Sequence, residues 1–105
     1  MPQFRLHRQV EFEFGEVRAW YAGHSPLAAE NFVHAFYRAL GKVQRHPTAH
    51  ALWRPPFRRI RLARYPYLVI YHADRRITSV LALVHERREP VRTFALLTGR
   101  AGDFD

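Results

Sequence analysis

The sequence predicts an α+β fold in two layers, an antiparallel helix hairpin laid on an antiparallel β-meander. Three observations lead there. Apolar residues between Val10 and Val43 recur in steps of three and four, the helical period. Those between Arg58 and His85 alternate with polar residues or run unbroken, as strand residues do. The connections Tyr65-Pro66 and Ala73-Asp74-Arg75-Arg76 are short enough to be hairpin turns and nothing longer.

Taken in order, Gln3 to His7 alternates polar and apolar and reads as a short strand. Val10, Phe14, Val17 and Tyr21 then share one helix face, which leaves Glu11, Glu13, Glu16 and Arg18 to solvent. Gly23 can end this helix. Ser25-Pro26 starts the next, with Ser as N-cap and Pro at the first helical position, where its missing N–H costs nothing. The buried stripe of this second helix is Ala29, Phe32, Phe36, Leu40 and Val43. His46-Pro47 closes it, because a residue before proline is pushed out of the helical region. So short a link between the two makes them an antiparallel hairpin.

Residues 47–57 contain Pro47, Pro55 and Pro56 and read as an ordered loop without regular structure, pinned by Leu52, Trp53 and Phe57. Three strands follow. Arg58 to Arg64 sets Ile60 and Leu62 against Arg59 and Arg61; Tyr67 to His72 is apolar on both faces, as a central strand is. Ile77 to His85 sets Val80, Ala82 and Val84 opposite Leu81, Leu83 and His85. Pro90 can open a short helix carrying Val91, Phe94 and Leu97, with Gly99 as its stop and residues 100–105 as a frayed end. One domain over residues 1–105 is expected.

Composition narrows the function. Without cysteine the chain has no disulfide, no thiolate zinc site and no cysteine nucleophile. A hydrophobic content of 48% argues against disorder. Met1 to Arg8 lacks the apolar run of a secretory signal, and Tyr65 to Tyr71 and Val80 to Val84 are too short to span a bilayer. A soluble cytoplasmic protein with no membrane partner is expected. The formal charge is +8, and apart from Lys42 the basic residues are arginines. Such a surface favours an acidic partner. Guanidinium clamps phosphate or carboxylate but stays protonated, so it cannot act as a base.

Arg59, Arg61, Arg87 and Arg88 form the first candidate site, with His85 near them in the pattern. Metal-free RNA cleavage needs a base for the 2'-hydroxyl, a stabiliser for the pentacoordinate phosphate and an acid for the leaving oxygen. If the chain is a ribonuclease, His85, Arg61 and Arg88 are its catalytic candidates, provided that His85 points the same way as the arginines. The favoured reading is that the arginines form a solvated sheet face or bind acidic groups of a partner. His46 and His50 are four apart, but Pro47 breaks the helix that would align them, so neither metal nor cofactor is expected. Phe4, Phe12, Phe14, Trp20, Tyr21, Phe32 and Phe36 read as core rather than a base-stacking platform. Periodicity forces neither Trp20 nor Trp53 inside, which makes each a candidate interface anchor.

The wording of particular segments goes further. Ser25-Pro26 ahead of Ala29 and Phe32, then Pro47, then Arg61 before Tyr65-Pro66-Tyr67 and Ile70-Tyr71, resembles the RelE/ParE superfamily of type II toxins. So does the run from Ala82 to Pro90, which ends His85-Glu86-Arg87-Arg88-Glu89-Pro90. The likeness covers roughly residues 4–92. The Arg64-Tyr65-Pro66-Tyr67 run and the His-x-Arg-Arg-x-Pro ending look more like the ParE side. RelE-type ribonucleases usually carry a late tyrosine, and nothing after Tyr71 is tyrosine here. Phe94 stands where ParE-like chains often have tryptophan.

The resemblance implies a toxin neutralised by a cognate antitoxin whose partly disordered tail wraps it. ParE-like members poison DNA gyrase; RelE-like members cut mRNA on the ribosome. The expectation is a ParE-like toxin that acts by binding, with Arg59, Arg61, Arg87, Arg88, Trp53 and Phe94 as target or antitoxin contacts. An apolar groove beside the helix hairpin, together with the basic sheet face, would take the antitoxin's acidic tail. The alternative is a ribosome-dependent endoribonuclease.

Overall fold

The computed structural model describes residues 3–104, which run β1 (Gln3–Leu6), α1 (Arg8–Ala22), α2 (Pro26–Arg45), β2 (Leu52–Arg54), β3 (Phe57–Arg61), β4 (Tyr67–Ala73), β5 (Ile77–His85) and α3 (Pro90–Ala101). The five strands form one sheet in the order β1-β5-β4-β3-β2. β2 to β5 make an antiparallel meander, and β1 lies parallel to β5, with Leu6 beside Val80. A parallel pair needs a long crossover, which the intervening elements supply.

The helix signals act as the sequence suggests. Ser25 Oγ accepts the Ala28 N–H at 3.2 Å, and Pro26 opens α2. Gly23 follows α1 directly, its N–H reaching the Ala19 carbonyl at 3.1 Å. At the start of α1 the cap is an imidazole: His7 Nδ1 accepts the Gln9 N–H at 3.1 Å.

Two cores lie on opposite faces of the sheet. On one, the α2 stripe of Phe32, Phe36, Leu40 and Val43 packs with Val10 against Val69, Tyr71, Val80 and Leu83. Aromatic rings tighten it, Phe14 lying 4.5 Å from Phe36 and Tyr21 5.0 Å from Tyr65. On the other, Leu97 of α3 covers Phe57, Leu68, Ile70, Leu81, Ala82 and Val84. α3 thus adds cover to the face the hairpin leaves free.

Several details differ from expectation. Ile70 pairs with Ala82 but Tyr71 pairs with Val80, so Leu81 is the extra residue of a β-bulge. The bulge shifts the alternation: Val80 joins Leu83 on the hairpin side, while Leu81, Ala82 and Val84 face α3. The loop 47–57 contains a short edge strand, β2, and its anchors are Phe57 and Trp53; Leu52 is 52% exposed. β3 stops at Arg61, and Arg64 turns the chain with φ of 70°.

Glu13 is not a solvent-face residue. Arg100 Nη1 donates to both of its carboxylate oxygens at 3.0 Å and to the Leu81 carbonyl at 2.9 Å, while the Leu83 N–H donates to Glu13 Oε1 at 3.1 Å. β1 ends beside Val80, so these backbone groups of β5 have no strand partner, and a carboxylate–guanidinium pair takes that place. The frayed end expected over 100–105 is likewise corrected for residues 100–104. α3 continues through Gly99, Asp103 accepts from Arg8 at 2.7 Å and bonds His7 at 3.2 Å, and the Arg5 guanidinium lies 3.6 Å from the Phe104 ring. Asp105 lies outside the described residues.

Candidate functional site

The α3-bearing face gathers four of the candidate residues. In the β3–β4 register Arg59 sits opposite Ile70 and Arg61 opposite Leu68, both members of the core under α3, so the two arginines project from that face. Trp53 packs against the same core, with the Arg54 guanidinium 5.7 Å above its ring. Phe94 of α3 meets Phe57 edge-on at 5.7 Å and is 37% exposed. The face therefore presents exposed guanidinium groups beside two half-covered aromatic rings.

His85 does not join them. It pairs with Tyr67, whose ring packs into the core under the helix hairpin, and the two rings meet edge-on at 5.3 Å. The condition attached to the ribonuclease candidates, that His85 points with Arg59 and Arg61, is not met by the register, which puts His85 on the opposite face from the one these arginines project from. His85 Nδ1 also accepts the Arg87 N–H at 3.1 Å, which leaves Nε2 as its one free ring nitrogen. Arg87 and Arg88 follow in the exposed turn before α3.

The charges are not all free. Arg61 Nε donates to Glu86 Oε2 at 2.9 Å, and this bond is the chief reason the Glu86 carboxyl is held below its ordinary value. Arg59, Arg87 and Arg88 have no carboxylate partner among the described residues. Nor, among the described residues, do three His, Asp or Glu side chains converge as a metal cage would require. His50 bonds the Lys42 carbonyl at 3.3 Å.

Two grooves accompany this face and the hairpin. One, of about 540 Å³, lies along α1 and α2 and is lined by Gly15, Ala19, Ala22, Ala29 and Val33, with Arg18 and Glu30 among its other residues. The other, of about 520 Å³, lies between α3 and the sheet. Its floor includes Arg5, Ser79 and His72, neighbours across β1, β5 and β4. Arg5 Nε donates to Ser79 Oγ at 2.8 Å. Sequence reasoning did not single out these three. The signal that finds them is register, since only the paired strands bring positions 5, 79 and 72 into one row.

Trp20, the other candidate anchor, stands 58% exposed on α1 against His24, remote in the fold from Trp53. The remaining aromatics divide: Phe14, Tyr21, Phe32 and Phe36 are packed together, while Phe12 is 66% exposed. No helix of the described residues is long and apolar enough to cross a membrane.

No curated protein sequence matches the chain. Among solved structures, a chain of the chromosomal ParDE toxin–antitoxin system from P. aeruginosa superposes with a TM-score of 0.60. The match covers 81% of this chain and 96% of that one at 13% identity, a likeness of fold. A family model described as the ParE toxin of the type II toxin–antitoxin system parDE matches residues 4–90, up to the first residue of α3. That match takes in the sheet, the helix hairpin and the basic turn, and by it the chain belongs to the ParE toxin family.

Proposed function

We propose that this ParE-family chain arrests growth by binding an essential target, DNA gyrase as in ParE-like toxins, and that a cognate antitoxin neutralises it. The antitoxin's acidic tail lies on the face that carries Trp53, Arg59, Arg61 and Phe94, and Arg87 and Arg88 extend the contact. The observation that carries the reading is the disposition of these groups. Exposed cations flank two anchoring rings, an arrangement suited to a partner with carboxylates and apolar side chains. His85, the one imidazole of the candidate ribonuclease set, is carried on the face of the sheet opposite to the one from which Arg59 and Arg61 project, which favours binding over general acid–base chemistry. In this reading the toxin works by occupancy of its target.

The test has two arms. Co-expression with the protein encoded beside it should yield a stable complex, and charge reversal at Arg59, Arg87 and Arg88 should release that protein at moderate salt. Induction of the toxin alone should impair gyrase supercoiling and leave messages intact. Cuts in translated mRNA that disappear in His85→Ala would overturn the reading, as would a failure of the complex to form.

A further inference from the structure

A second basic surface runs along the outer edge of β3 and onto α2, and it does not depend on the antitoxin reading. α2 carries Arg38 and Lys42 one turn apart, about 6 Å along the axis, both exposed. The turn after β3 brings Arg64 up to Arg38: these two, with His34 and Tyr65, line an open depression of about 400 Å³. A small cleft of about 20 Å³ continues from it between Arg38, Lys42 and Arg61. Arg61 and Arg59 then line a further depression of about 450 Å³. The three form a continuous trough walled by five guanidinium or ammonium groups.

Three features decide what such a trough can hold. Its one lining carboxylate, Glu86, is already occupied by Arg61. None of the large exposed apolar side chains lines it; its apolar lining is Ala35, Ala39, Ala51 and Ala63, with Ile60 partly covered and Leu68 in the core. An amphipathic peptide would find little there to bury beyond the part of Ile60 left uncovered. Of its three aromatic rings, Tyr65 is half-buried with its hydroxyl donated to the Ala28 carbonyl at 3.0 Å, His50 is bonded to the Lys42 carbonyl, and His34 stands alone as an exposed small ring, so the trough offers no run of platforms for unstacked bases. Single-stranded nucleic acid relies on such platforms. What remains is a stiff, closely spaced row of negative charge, and duplex DNA presents one charge per roughly 1.7 Å of its axis.

We propose that the α2–β3 trough seats the phosphate backbone of duplex DNA without reading its sequence. Arg38, Lys42 and Arg64 carry this surface, and Arg59 and Arg61 join it to the face beyond. Contacts of this kind position a protein on a duplex and act through counterion release.

The experiment uses the purified chain without antitoxin and a short labelled duplex, followed by anisotropy across a salt series. Binding should weaken steeply with salt, with a slope of log K against log salt near −0.9 per phosphate neutralised, or about −4.5 for five cations. The variant Arg38→Gln/Lys42→Gln/Arg64→Gln, shown to be folded by circular dichroism, should flatten that slope by about 3. Complex formation with the antitoxin should be unaffected in the same variant, which separates the two surfaces. A second readout needs no variant. Lys42 is the only lysine in the sequence, so acylation by an amine-selective reagent, read by mass on the peptide that contains Lys42 and apart from the α-amine, reports on one side chain, and duplex should protect it. The proposal is overturned by an unchanged slope in the variant or by Lys42 acylated as fast with duplex as without. It is also overturned if polyglutamate, or the single strand, displaces the duplex at equal charge concentration.

Discussion

Arg64 shows how one residue sets the corner between two strands. Its φ of 70° lies in the left-handed region, where a Cβ crowds the following carbonyl at a cost of roughly 1–2 kcal/mol. The turn holds it there through the Leu62 N–H to the Tyr67 carbonyl, at 3.0 Å, and the Tyr67 N–H to the Tyr65 carbonyl, at 2.8 Å. Arg64→Gly removes the crowding but loosens the unfolded chain, so its stability should be equal or up to about 1 kcal/mol higher. Arg64→Val, β-branched and least tolerant of this region, should lose about 1–2 kcal/mol by urea denaturation. His7 is a second special residue. Because its Nδ1 accepts from Gln9, the neutral ring carries its proton on Nε2 and donates it to Asp103. The pattern of apolar residues does not single out His7 as a cap, since imidazole is not among the usual capping groups.

At the scale of elements, the Glu13–Arg100 pair ties α1 and α3 across the open edge of β5. The pair is largely buried, its side chains 17% and 12% exposed, and it satisfies two strand backbone groups besides each other. Removing one partner strands the other and orphans a buried backbone group. Glu13→Ala and Arg100→Met should each cost about 2–4 kcal/mol in denaturant titration, and the double variant should cost less than the sum. Glu13→Gln, which keeps an acceptor for Leu83 N–H, should fall between wild type and Glu13→Ala.

Elements are also where the limits of reading a sequence lie. Ser25-Pro26 and the stripe from Ala29 to Val43 specify α2 locally, because capping and periodicity act within a few residues. Glu13 could not be placed that way: its partner is 87 residues on, and helical spacing alone puts it on the polar side. The bulge at Leu81 is equally silent, since an unbroken apolar run from Val80 to Val84 fits either parity. Arg59 and Arg61 could be assigned to one face by alternation; whether His85 shared that face depended on register, which no residue near His85 announces.

For the whole molecule, the charge of +8 makes association and acid stability the properties to measure. Three carboxyls are held below their ordinary values. In Asp74 the cause is backbone N–H bonds from Ile77 and Arg76; in Glu86 it is Arg61; in Asp103 it is first Arg8 and then His7. A carboxyl that ionises more readily in the folded chain adds stability above its ordinary value, 3.8 for aspartate and 4.5 for glutamate here, and gives it up as pH falls through the lowered one. Tm should therefore fall with acid below about pH 4–5, and Asp103→Asn should make that fall shallower. A steeper fall in the variant would contradict the assigned pairing.

The parallel pairing of β1 with β5 has a consequence for synthesis. Residues 3–6 leave the ribosome 74 positions ahead of their strand partner, so the sheet cannot close while the chain between them is still emerging. Non-local closure of this kind is slow. A newborn copy thus passes its translation time with Trp53, Phe57 and the arginines not yet held on one surface, so nothing that needs that surface whole can bind before the last strand is made.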